Sequence, residues 1–109
     1  MIENGGMDRI VMLNKLLAQD PKNAFARYGL AMEYSYSGEL HRALEEFSKL
    51  LSANPDYTAG YFMAAQTLVK AGNANDAKKM LVDGIACAQR KRDAHAESEM
   101  QALLDEIGV

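Results

Sequence analysis

The sequence predicts an all-α fold built from antiparallel helix pairs, and three observations carry that reading. Residues 24–55 hold two apolar runs in which side chains recur every third or fourth position, Phe25, Tyr28, Leu30, Ala31, Met32 and Tyr34, then Leu40, Ala43, Leu44, Phe47, Leu50 and Leu51. That spacing marks two amphipathic helices, each too short to be stable alone. Ser37-Gly38 separates the runs, and Pro21 and Pro55 bracket them. The interval between the two prolines also separates Ala31 from Ala65, Gly38 from Gly72 and Ala43 from Ala77.

Each of these residues has a physical task. Small side chains such as Ala31 and Ala43 let two helices approach closely, while Tyr34 and Phe47 fill the space beside them. Gly38 takes the left-handed conformation that ends a helix. Proline cannot continue a helix and disfavours helical geometry in the residue before it, so Asp20 and Asn54 should lie outside helices.

This interval, filled by helix, turn, helix and proline, resembles the period of about 34 residues of a tetratricopeptide repeat. With Ala24 as the first position, the family's small residue of the first helix falls on Ala31, its aromatic partner on Tyr34 and the turn glycine on Gly38. The small residue of the second helix falls on Ala43, the large apolar residue on Phe47 and the closing proline on Pro55. The bulky residue near the start is missing, replaced by Arg27. The resemblance implies a right-handed α-solenoid of about six helices.

In chain order, 1–6 read as a flexible tail, because Gly5-Gly6 costs much backbone entropy to hold. A half repeat follows at 7–19, opened by Asp8, with Ile10, Leu13, Leu16 and Leu17 on one face. Arg9 stands where the full repeat has Ala43, which suits an uncovered face. Repeat one is 24–57 and repeat two 58–91, where Tyr61 fills the bulky slot and Gly84 replaces Leu50. A last helix, 94–107, capped by Asp93, should seal the stack with Met100, Leu103, Leu104 and Ile107. One continuous helix through 74–107 remains open, since no Gly or Pro lies between Ile85 and Ile107. The whole chain, 1–109, reads as a single domain.

Composition bounds the function. Of 109 residues, 49% are hydrophobic and 25% charged, as in ordinary globular proteins, and the net charge of −3 argues against nucleic acid or an anionic membrane as partner. Met1–Gly6 shows neither a basic start nor an apolar run, so no secretion signal is expected, and no run approaches the ~18 apolar residues of a membrane span. The single Cys87 forms no internal disulfide and suits a reduced, cytoplasmic setting. His41 and His95 stand far apart, and an i,i+4 pair such as His95–Glu99 is ordinarily a surface contact. No phosphate loop, metal set or activated nucleophile is legible, so no enzyme, cofactor or metal is expected.

What remains is surface shape. The family resemblance implies a concave face lined by the first helix of each repeat, here Phe25, Tyr28, Gly29, Met32 and Tyr36, then Ala59, Phe62, Met63, Gln66 and Lys70. The Lys, Asn and Arg clamp of the family's peptide-carboxylate binders has no counterpart at these positions. Aromatic and thioether side chains stand there instead, giving large, adaptable apolar contact. The expected function is a non-catalytic adaptor or assembly factor that takes a peptide or helix of a protein partner in this groove. The alternative is a homo-oligomeric subunit using the same face on itself, or a groove covered by the chain's own last helix.

The repeat register has a direct check. Ala31→Leu or Ala43→Leu should overpack the helix contact and cost roughly 1–3 kcal/mol in thermal or denaturant unfolding. Melting within a degree or two of the parent would place those alanines elsewhere.

Overall fold

The structure, a computed structural model, describes residues 5–108 as six α-helices. They are α1 (Gly5–Gln19), α2 (Ala24–Tyr36), α3 (Leu40–Ala53), α4 (Thr58–Lys70), α5 (Ala74–Arg90) and α6 (Ala94–Ile107). Each helix packs on the next, α2 also touches α4, and α4 touches α6. The result is an elongated stack measuring 43 × 28 × 20 Å. Nearest-neighbour contact of this kind defines a solenoid.

Two kinds of turn alternate along the chain. At Asp20 and Asn54, the residues before the two prolines, the chain leaves the helix and a tight turn closes on their carbonyls, from the Asn23 and Tyr57 amides. The turns after α2 and α4 are of the second kind. The Ser37, Gly38 and Glu39 amides bond to the carbonyls of Glu33, Ser35 and Tyr34, and Ala71, Gly72 and Asn73 repeat the pattern. Gly38 and Gly72 sit at φ 84 and 79°, where a side chain is strained.

The same turn recurs between α5 and α6, with Arg92 at φ 56° in the glycine's place. Asp93 then accepts the Ala96 amide at 3.1 Å, satisfying one orphan donor of α6. Residues 74–107 are therefore two helices. A polar left-handed residue and a capping aspartate break the run where neither Gly nor Pro is present.

The core consists of three linked clusters. Ala31, Ala43, Phe47, Leu50 and Ala64 form the central one, with Leu17, Ala26 and Leu30 on the α1 side and Tyr61, Ala65, Leu81, Cys87, Ala88 and Met100 towards α6. Ala31, Ala43, Ala65 and Ala77 have no exposed surface. Among the described residues, no buried side-chain nitrogen or oxygen lacks a hydrogen-bond partner. The hydroxyls of Ser35 and Thr67, both buried, meet each other at 3.0 Å between α2 and α4.

Two sequence expectations need correction, and a third is refined. The helix begins at Gly5, so Gly5 and Gly6 are not tail, while residues 1–4 lie outside the described residues. First-turn amides need no partner within the helix, and helix starts are soft by a residue or two. Arg9 does lie on an open face, 57% exposed, yet it is not without a partner, because its Nε donates to Glu33 Oε1 at 2.5 Å and ties α1 to α2. Arg27 does not leave its slot empty. It donates to Glu46 Oε1 at 2.6 Å and to the Pro21 carbonyl at 3.2 Å. Tyr61, one repeat later, donates from its hydroxyl to the Pro55 carbonyl at 2.7 Å. Two chemically different side chains thus hold equivalent proline turns against the next helix.

Gly84, which replaces a leucine of the first repeat, has a steric reason. A Cβ there would lie 2.5 Å from Met100 Sδ and 2.6 Å from Tyr61 Cβ, well inside contact distance. Gly84→Ala should therefore lower unfolding stability by roughly 1–3 kcal/mol through overpacking. This outweighs the gain of about 0.5–1 kcal/mol that alanine brings to an unhindered helix. Chemical denaturation checks it, and a stabilised variant would show that α6 is not seated against α5 at this point.

Candidate partner-binding groove

The first helices of the helix pairs, α2 and α4, share one side of the stack with α6. Between them lies a cavity of about 230 Å³ lined by Tyr28, Thr58, Ala59, Phe62, Met63, Asp93, His95, Ala96, Glu99 and Met100. The spacing of α4 explains its contribution. Ala59, Phe62 and Met63 fall on one face of the helix, while Tyr61, Ala64 and Leu68 fall on the other. That second face floors a larger hollow of about 510 Å³ between α3 and α5, with Leu44, Phe47, Leu51 and Met80 on its walls.

The groove floor is aromatic and thioether. Tyr28 is half-buried, edge-on to Phe47 at 6.4 Å between ring centres and tilted against Tyr57 at 5.3 Å. Burial, with a smaller contribution from Tyr57, pushes its phenol above the ordinary tyrosine range, so the ring stays neutral. Met100 has no exposed surface, whereas Phe62 and Met63 are partly open. The rim on the α6 side carries the carboxylates of Asp93 and Glu99, with His95 Nε2 3.3 Å from Glu99 Oε1.

The residues expected to form the concave face divide in this geometry. Tyr28, Ala59, Phe62 and Met63 come together in the cavity, while Phe25, Gly29, Met32, Tyr36, Gln66 and Lys70 do not line it. Gly29 faces α1, where an added Cβ would meet Leu13 Cδ2 at 3.4 Å. Met32 packs on the central core cluster. Phe25 and Tyr36 are exposed, and Lys70 holds its ammonium 6.0 Å from the Tyr36 ring centre. The α6 wall, Asp93, His95, Ala96, Glu99 and Met100, was missed by sequence reasoning. The available signal was the small residue Ala96 one turn before Met100, on the same helix face as Glu99.

Other chemistry is sparse. Among the described residues, no group of three or more His, Cys, Asp or Glu could hold a metal ion, and no helix is long and apolar enough to cross a membrane. Cys87 is buried, with its sulfur 3.4 Å from the Thr58 hydroxyl.

Comparison with known proteins agrees with this architecture. A tetratricopeptide repeat family profile matches residues 36–106. A TPR repeat-containing protein of Pseudomonas aeruginosa is 32% identical over 95 residues, covering 87% of this chain and 90% of that protein. A tetratricopeptide repeat and J domain-containing co-chaperone of Fusarium oxysporum is 30% identical over 71 residues, 65% of this chain but 14% of its own length. The solution structure of a tetratricopeptide repeat domain protein from Salinibacter ruber superposes with a TM-score of 0.76 at 28% identity, covering 81% of this chain and 89% of that one. The type III secretion translocator chaperone of Yersinia enterocolitica shares the fold, with a TM-score of 0.87 at 17% identity over 94% of this chain and 72% of its own. The chain belongs to the tetratricopeptide repeat family, an all-α solenoid fold that generally serves protein–protein interaction rather than catalysis.

Proposed function

We propose that this protein is a non-catalytic adaptor that takes an apolar, positively charged peptide or short helix of a partner protein into the groove between α2, α4 and α6. The observation that carries the reading is the cavity's composition. Tyr28, Phe62, Met63 and Met100 offer adaptable apolar surface, and Asp93 and Glu99 put negative charge on its rim. Apolar contact supplies affinity, while the carboxylates select the sign of the partner's charge. A terminal-carboxylate clamp would need the opposite sign, so the groove suits basic rather than acidic motifs.

In this reading the unit comprises a half repeat in α1, full repeats at 24–57 and 58–91, and α6 as the closing wall. The family's co-chaperone relative and chaperone-like structural neighbour support a role in handling protein segments. A cytoplasmic setting is part of the proposal, motivated by one buried, unpaired thiol. α6 narrows the groove without filling it, which favours a foreign occupant over self-covering.

Substitutions that block the groove without removing packing give the cleanest test. Ala59 is exposed and Glu99 is a rim charge, whereas Tyr28 supports Phe47 and Tyr57. Fluorescence polarisation with labelled amphipathic peptides should show binding by Leu/Lys-containing sequences and not by their Leu/Glu counterparts. Ala59→Trp and Glu99→Lys should each weaken it by roughly tenfold, about 1.4 kcal/mol, with the melting temperature within a few degrees of the parent. Binding that ignores peptide charge and both substitutions would overturn the assignment.

A further inference from the structure

The first helix has two faces of unlike fate. Ile10, Leu13 and Leu17 pack against α2. On the other side Met7, Val11, Met12 and Leu16 are 60, 49, 53 and 40% exposed. Half of the exposed large hydrophobic residues among the described residues therefore lie on this one helix. The outermost helix of a solenoid ordinarily presents a polar surface to water, and an apolar strip there marks an interaction surface.

The strip has an internal order. At 3.6 residues per turn, Asp8 and Lys15 run down its middle, with Met7 and Val11 along one edge and Met12 and Leu16 along the other. Two turns, about 10 Å of rise, separate Asp8 from Lys15, too far for a mutual ion pair. Neither forms an ion pair among the described residues. Arg9, at the strip's border, is already held by Glu33 and leaves the central pair of charges to set the register.

We propose that this face is the interface of a homodimer, in which α1 of two copies packs antiparallel about a two-fold axis passing between Val11 and Met12. That axis brings each edge of the strip onto the same edge of the second copy, so beside the axis Val11 meets Val11 and Met12 meets Met12, and it sets Asp8 opposite Lys15. The Asp8–Lys15 contact then occurs twice, while residues beside the axis meet their own copies, as an isologous interface requires. The apolar edges supply the affinity, and the two Asp8–Lys15 pairs fix direction and register. A single helix per copy makes a small interface, so association is weak and reversible. The face is separate from the groove, and this inference stands whether or not the groove binds peptide.

The test is sedimentation equilibrium of the full chain from about 1 µM to about 1 mM, the range in which a small interface associates. The parent should pass from monomer to dimer. Asp8→Lys alone and Lys15→Asp alone should each weaken association by at least about tenfold, since like charges would then face one another twice. An equimolar mixture of these two variants should recover the dimer, as should the Asp8→Lys/Lys15→Asp double variant. Circular dichroism reports whether the helices persist. If either charge variant loses helical signal, Val11→Ser/Met12→Ser replaces it and should be monomeric. A parent that stays monomeric throughout, single charge variants that dimerise normally, or a mixture that fails to recover would each overturn the proposal. So would an association that Ala59→Trp removes and α1 substitutions do not, which would move self-association to the groove.

Discussion

The constraint on which the structure depends is the close approach of helices at small side chains. Ala31, Ala43, Ala65 and Ala77 have no exposed surface, and each lies where a larger residue would push two helices apart. Gly84 carries the same logic to its limit, letting Met100 and Tyr61 close over the backbone of α5. Because the backbones are near, large side chains must go either between neighbouring contacts, as Phe47 and Leu81 do, or onto the surface, as Phe62 and Met63 partly do. The groove is therefore a consequence of how the helices pack. Its floor is the set of large residues that the close seams cannot admit.

A second constraint fixes the angle at which each helix pair follows the last. Arg27 and Tyr61 reach back to the carbonyls of Pro21 and Pro55, and Arg90 adds a contact to Asp56 at 3.1 Å on the outside of the second turn. A proline turn has no amide at that residue to anchor itself. Side-chain donors from the following helix do the anchoring. The spacing of this contact is repeated within the chain although its chemistry is not, which shows that reach and hydrogen-bonding capacity matter more at this slot than residue type.

Much of this was legible in the sequence because periodicity survives translation into space. The interval from Pro21 to Pro55 located Ala31, Gly38 and Ala43 and their second copies, and it placed Tyr28 and Phe62 on the same side of the stack. It misled where the repeat itself is broken. α5 has 17 residues against 14 for α3, so counting forward from repeat two does not land on the α6 wall of the groove. Gly29 was assigned to the groove because its orientation depends on Leu13, a residue of a helix that sequence places next to it only in order, not in space. The roles of Arg9 and Arg27 depend on partners 24 and 19 residues away, and residue type alone does not reveal an ion pair at that distance. Arg92 in a glycine's conformation is likewise invisible until the turn's hydrogen bonds are known.

If close seams hold the stack together, stability should be concentrated where a helix is seamed on several sides. α4 meets α2, α3, α5 and α6, and α5 is held between α4 and α6, whereas α1 and α6 are terminal. A solenoid's local stability follows its nearest-neighbour interfaces. Amide hydrogen exchange, followed residue by residue in the intact chain, measures this directly. The account predicts the slowest exchange in α4 and α5 around Ala65, Leu68 and Leu81, intermediate rates in α2 and α3, and the fastest helical exchange in α1 and α6. Uniform protection across all six helices, or slowest exchange in α1 or α6, would contradict it.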